Sequence, residues 1–171
     1  MSLMAFHRQY GLPVMIARFA NFYGPGQQLY RIVPRAIMAA VGVDQLTLDG
    51  GGKSIRAFIY GKDIASGIFS MLMKGKHGQT YHFSTDDFVS IKELVEQIAE
   101  LLNTDIHKFS KDGSERPGKD AAYLMDSQKA KTELNWEPEV RMKEGLQKTI
   151  EWVTSNLDEL KTLPREYIHQ P

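Results

Sequence analysis

Residues 10–26 read YGLPVMIARFANFYGPG, and the way this stretch alternates between breakers and apolar residues decides the fold. Gly11 and Pro13 stop the helix predicted over residues 4–10. The run 14–19 that follows is short, bounded by breakers and free of polar alternation, the pattern of a strand buried on both faces of a parallel sheet. A loop then covers 21–28, and residues 32–43 read as a helix with Arg31 and Arg35 near its start. In α/β proteins, ligands sit outside the carboxyl ends of such strands. The expectation is therefore an α/β fold whose binding loop begins at Asn21.

Further on, DGGGKS at 49–54 ends in the Gly-Lys-Ser that closes a phosphate-binding loop. The complete motif also needs a glycine five positions before Gly52 and a helix after Ser54. Position 47 is Thr47, and residues 55–60 (IRAFIY) have the β-branched and aromatic bias of a strand. The three glycines read instead as a hairpin-like turn between two short strands. Beyond it, Asp63 is expected to cap a helix reaching about Met73, residues 80–83 form a strand, and Ser90 with Glu93 forms a capping box. Ile91, Leu94, Val95, Ile98, Leu101 and Leu102 then share one helical face. Residues 106–120 are polar and turn-rich, 123–125 form a short strand, Asp126 caps the first of two closing helices, and the tail after Leu160 is expected to be loosely held.

Composition narrows the function classes. With 171 residues and 42% hydrophobic content, the chain can bury a core. Lys plus Arg match Asp plus Glu at 21 each, which argues against a nucleic-acid footprint or an anionic membrane surface. The absence of cysteine removes disulfides, thiol catalysis and Cys-ligated metals, and suits a cytoplasmic location. No apolar run reaches membrane-spanning length, and the amino terminus lacks a signal-peptide pattern.

Arg18, Arg56 and Arg116 stand beside turns or in strands. The planar guanidinium fork suits bidentate contact with phosphate oxygens, so a strand arginine and a loop arginine converging on one site would fit a diphosphate. Taken singly, each more often makes a structural ion pair. Asn21 either offers its amide to a ligand or closes its own turn. Gly24-x-Gly26 begins a dinucleotide fingerprint, but Leu29 occupies its third glycine position. The five histidines, His7, His77, His82, His107 and His169, lack metal-ligand spacing. No tyrosine is followed four residues later by a lysine, so no catalytic acid–base pair of that kind is present.

In their order along the chain, YGLPVMIARFANFYGPG, IVPRAI, LDGGGKSIRAFIYGKDIA, GQTYHFST, SIKELVEQIAELL, ERPGKD and the 123–153 segment resemble the carboxyl-terminal half of an extended short-chain dehydrogenase/reductase acting on nucleotide sugars. Nearest are the dTDP-glucose 4,6-dehydratases, followed by the nucleotide-sugar 4-epimerases. The resemblance implies that residues 4–30 end an NAD-binding Rossmann domain, that 31–160 form the smaller substrate domain and that 161–171 are a tail. It further implies that Asn21 contacts the sugar diphosphate, that Ile32, Val33 and Pro34 line the nucleotide pocket, and that Arg56 and Arg116 bind the diphosphate. Tyr23 and Gly24 would lie near the nicotinamide.

Departures from the family pattern also bear on function. Asp49 stands where dTDP-specific relatives often carry a base-stacking tyrosine, and His82 where an asparagine is usual, which leaves the nucleotide open. The extra residue in RPGKD favours the dehydratase branch. The family's Gly-rich NAD loop, its Tyr-x-x-x-Lys and the dehydratase acidic pair belong to the amino-terminal half. The expectation is thus a substrate half without catalytic residues, separated by truncation or gene splitting from its Rossmann half and inactive alone. The alternatives are the same half of a 4-epimerase, or a non-catalytic nucleotide-sugar-binding partner of a separate Rossmann chain. A strand left with an open edge further predicts a homodimer or swapped assembly.

Overall fold

The structure is a computed structural model that describes residues 2–115, 117–118 and 120–167. In chain order its elements are α1 (Ser2–Tyr10), β1 (Ile16–Phe19), β2 (Asn21–Tyr23), α2 (Ile32–Ala40), β3 (Leu46–Asp49), β4 (Ile55–Tyr60), α3 (Gly61–Lys74), β5 (Thr80–Phe83), β6 (Phe88–Ser90), α4 (Ile91–Leu101), α5 (Ile106–Phe109), β7 (Ser110–Gly113), β8 (Ala122–Tyr123), α6 (Gln128–Leu134), α7 (Met142–Ser155) and α8 (Leu157–Leu160). The architecture is α/β with mostly parallel pairing, as the apolar run in β1 implies.

β4 is the hub. It runs parallel to β2 along its second half, and along its first half it pairs antiparallel with β6 and parallel with β8. Strand alternation sends Phe58 into a core built with Tyr23, Val33, Ile37, Leu94, Ile98, Leu146 and Val153. Ala57 and Ile59 point the other way, into a second core with Tyr81, Phe83, Leu134 and Trp136. Burying both faces explains why IRAFIY shows no polar alternation after Arg56. The helix over α4 forms as predicted: Glu93 N donates to Ser90 Oγ at 3.1 Å and Ser90 N donates to Glu93 Oε2 at 2.7 Å.

Several expectations change. β1 pairs in parallel with β5, its only pairing partner among the described residues, and its Arg18 and Phe19 are exposed rather than covered. Residues 21–23 are a strand, not a loop, since hydrogen bonding to β4 takes up the chain directly after Ala20. α2 ends at Ala40 because the backbone turns left-handed at Gly42 (φ 85). The glycines at 50–52 do not make a hairpin: β3 pairs with β7, while β4 belongs to another sheet. All three have positive φ (59, 66 and 69), and a Cβ on Gly52 would fall 2.9 Å from the backbone nitrogen of Lys92. Only glycine allows the chain to cross between sheets so tightly against α4.

The polar segment 106–120 contains α5 and β7, whose Ser-Lys-Asp-Gly sequence carries no strand signal and is paired through its backbone alone. Asp63 does not cap α3; it lies inside the first turn and serves the loop before α7, as described in the Discussion. Up to residue 167 the tail makes several contacts with the rest of the chain. Leu160 is buried, Arg165 Nη1 meets Asp44 Oδ2 at 3.3 Å, and the Tyr167 ring packs edge-on against Tyr30 at 5.4 Å.

Candidate binding site

A cleft of about 470 Å³ opens where β1 passes into β2, in front of the amino-terminal end of α2. Asn21, Phe22, Gln27, Tyr30, Arg31, Ile32, Val33 and Phe58 line it. An adjoining cleft of about 280 Å³ is lined by Tyr30, Ile32, Arg35, Asp49 and Ile91 among others. Tyr30 and Ile32 therefore form the shared wall between the two.

Parallel pairing sets Asn21 opposite Phe58, and its Nδ2 donates weakly to the Ala57 carbonyl at 3.4 Å. Gln27 donates Nε2 to the Phe22 carbonyl at 2.6 Å, which ties the 24–28 turn to β2, while its Oε1 is enclosed without a hydrogen-bond partner among the described residues. Arg56 lies two residues before Phe58 and so on the same face of β4. Its guanidinium donates from Nη1 to the Ile55 carbonyl at 2.7 Å and from Nη2 to the Asp120 carbonyl at 2.8 Å. Two of its five N–H donors are thus spent on carbonyls, which fix the group without neutralising it. Among the described residues, none of Arg31, Arg35 and Arg56 forms a salt bridge; Arg31 lines the first cleft and Arg35 the second, which also holds Asp49, whereas Arg56 lines neither.

The fold brings together Asn21, Ile32 and Val33, with Asp49 in the adjoining cleft and Arg56 on the strand face beside them. Pro34 is buried in the first turn of α2, behind this wall. His82 lies on β5, opposite Arg18 in the β1 register, and lines neither cleft. Its neighbours Tyr81 and Phe83 turn into the second core, so alternation points His82 the other way. Arg116 lies outside the described residues; Arg56 nevertheless binds Asp120 at the end of the same segment. Sequence reasoning missed Gln27, Tyr30, Arg31 and Phe58 as lining residues. The signal for Gln27, Tyr30 and Arg31 was their closeness in sequence to Asn21 and to the start of α2, whereas Phe58 is brought opposite Asn21 only by the β2–β4 pairing.

Tyr23 and Gly24 are held tightly within the fold. Tyr23 is 1% exposed, its hydroxyl donates to the Met142 carbonyl at 3.2 Å, and its ring packs edge-on against Phe58 and Tyr60. Burial, followed by the nearby Tyr60, Asp63 and Glu144, pushes its pKa far above the ordinary phenol value, so the hydroxyl stays protonated. Gly24 is enclosed by the Tyr60 ring, and Leu29, at the third fingerprint position, is buried. No group of three or more potential metal ligands occurs among the described residues, and no helix there is long and apolar enough to cross a membrane.

Comparison with known proteins agrees with this geometry. The human dTDP-D-glucose 4,6-dehydratase is 30% identical over 168 residues, covering 95% of this chain and 48% of that protein. A trifunctional UDP-glucose 4,6-dehydratase of Arabidopsis thaliana is 35% identical over 156 residues, covering 91% of this chain and 23% of that protein. The crystal structure of DesIV, a dTDP-glucose 4,6-dehydratase from Streptomyces venezuelae with NAD and TYD bound, superposes with a TM-score of 0.86 at 30% identity, over 91% of this chain and 48% of that one. The chain thus spans about half the length of the dTDP-glucose dehydratases it matches, or less of the trifunctional relative. A family model described as GDP-mannose 4,6 dehydratase matches residues 1–149, and the chain belongs to that family, with the extended short-chain dehydrogenase/reductase fold that its sequence resembles.

Proposed function

We propose that these residues form the nucleotide-sugar-binding portion of an NAD-dependent nucleotide-sugar 4,6-dehydratase that works in the cytoplasm. The observation that carries this reading is the convergence of Asn21, Ile32, Val33 and Phe58 on one cleft, with the fixed, unpaired Arg56 on the same strand face. In this reading, Asn21 donates its amide to the sugar diphosphate. Arg56, together with Arg116, neutralises the phosphates, and the apolar wall at Ile32 and Val33 holds the nucleoside. In this reading proton and hydride transfer fall to a tyrosine–lysine pair and a dinucleotide cradle in an amino-terminal half, since no tyrosine here is followed four residues later by a lysine. The β1–β5 pair is then the edge of an NAD-binding sheet completed by an amino-terminal Rossmann half.

A second reading, the same portion of a 4-epimerase, draws support from the UDP-glucose 4-epimerase of Thermotoga maritima. Its UDP-glucose complex superposes with a TM-score of 0.86 at 28% identity, over 92% of this chain and 51% of that one. A separate non-catalytic binding partner is the reading from outside catalysis. Calorimetric titration with UDP-, dTDP-, CDP- and GDP-sugars, with NAD as control, tests the nucleotide-sugar site that all three share. One nucleotide sugar should bind and NAD should not; binding of NAD in preference to every nucleotide sugar would overturn the assignment.

The same reading predicts self-association. Phe19 and Phe22 are exposed beside the open edge of β1, and Phe69, Leu72 and Met73 are about two-thirds exposed on one face of α3. Apolar surface of this kind favours pairing between copies. Sedimentation at micromolar concentration should show a dimer, and a monodisperse monomer would count against it.

A further inference from the structure

Tyr30 lines the main cleft, the adjoining cleft that holds Asp49, and a third, mostly apolar groove on the outer side. Across that groove, residues 26–30 face Trp152, Leu160, Leu163 and Pro164. The segment carrying Tyr30 has little regular structure of its own. Its backbone ties are turn bonds, from Gln27 N to the Gly24 carbonyl at 3.3 Å and from Arg31 N to the Gln28 carbonyl at 3.0 Å. Buried Leu29 anchors the segment to the main core, and the Tyr30 ring beside it needs contacts of its own.

Two groups supply them. The Arg31 guanidinium lies over the Tyr30 ring, 5.1 Å from its centroid, and the Tyr167 ring meets Tyr30 in an edge arrangement at 5.4 Å and 75°. Tyr167 is delivered there by a tail with two earlier anchors. Leu160 is buried in the main core, and Arg165 pairs with Asp44, both about one-third exposed. The pair at Asp44 holds the tail to the chain between α2 and β3, and the ring contact then reaches the cleft wall.

We propose that Tyr167 is a positioning residue for ligand binding. It acts through Tyr30 to hold the Tyr30–Arg31 wall, both the ring and the guanidinium resting on it, in the geometry that accepts the nucleotide sugar. The ligand named here rests on the reading under Proposed function; the effect on the wall does not. Tyr167 touches no ligand in this scheme, and its contribution is the order it imposes on residues 27–31.

Hydrogen–deuterium exchange on the ligand-free chain tests the positioning directly. Tyr167→Ala should raise exchange over residues 27–33 and leave α4 unchanged, and Tyr167→Phe, which keeps the ring, should restore protection. Unchanged exchange over 27–33, or a rise that spreads equally to α4, would overturn the proposal. Calorimetry with the nucleotide sugar bound by the wild-type chain gives the second readout, in which Tyr167→Ala should bind about 3- to 10-fold more weakly and Tyr167→Phe as wild type. Equal affinity in the alanine variant would also overturn it. A wild-type chain that binds no nucleotide sugar would instead remove the functional reading, and the exchange result would still decide the positioning role.

Discussion

Replacing Asp63 with alanine should cost about 3 kcal/mol of folding stability, the largest loss expected from a single polar side chain here. Asp63 is 1% exposed, and its two oxygens accept from consecutive backbone amides, Oδ1 from Glu139 N and Oδ2 from Val140 N, both at 3.1 Å. This carboxyl group therefore joins the first turn of α3 to the loop that leads into α7, some 76 residues later in the chain. Alanine would leave two amide donors without acceptors, that of Val140 buried and that of Glu139 partly buried, and a fully buried orphan costs about 1–3 kcal/mol. The neighbouring indole would survive the change, because Trp136 Nε1 donates to the backbone carbonyl of Asp63 and to Ser66 Oγ, not to the carboxyl group. Asp63→Asn keeps one acceptor and should lose roughly half as much. Urea denaturation would check this. A shift of the alanine variant below about 1 kcal/mol would mean that water or a backbone rearrangement satisfies the two amides.

Asp63 also shows where sequence reading succeeds and where it runs out. Its position at the start of α3 was legible, since an acidic residue before an apolar periodic run suggests a helix start. Its partner was not, because nothing local marks Glu139 and Val140 as amides in need of an acceptor. The same division holds elsewhere. Ser90 and Glu93 carry their whole meaning within four residues, and the capping box forms as read. By contrast, Gly50, Gly51 and Gly52 announce a sharp change of direction but not its destination, and the chain crosses to another sheet instead of folding back. β7 escapes notice because a Ser-Lys-Asp-Gly strand owes its existence to β3, to which its backbone is paired. At the site, Asn21 and Ile32 were legible as ends of elements. Tyr30 and Gln27 depend on how a turn of low regularity packs against β2 and a distant tail.

Arg56→Ala should weaken nucleotide-sugar binding by about 1.5–3 kcal/mol, or roughly 10- to 150-fold, if charge-assisted bonds to the phosphates form as proposed. The fold should hardly notice. The lost contacts are to the carbonyls of Ile55 and Asp120 in an exposed setting where water can replace the guanidinium. An affinity loss with an unchanged melting temperature would therefore report on the ligand and not on the scaffold. Arg116→Ala should act in the same direction, and unchanged affinity in both variants would remove the diphosphate site from this face of β4. Arg56→Lys separates charge from geometry. Lysine keeps the positive charge but not the planar fork, so it cannot hold two carbonyls and still present parallel N–H groups to a phosphate. If the two carbonyl bonds serve to aim the fork, the lysine variant should lose nearly as much affinity as alanine. If affinity instead stays near wild type, the residue acts only as a local positive charge, and the backbone contacts that fix it have no part in recognition.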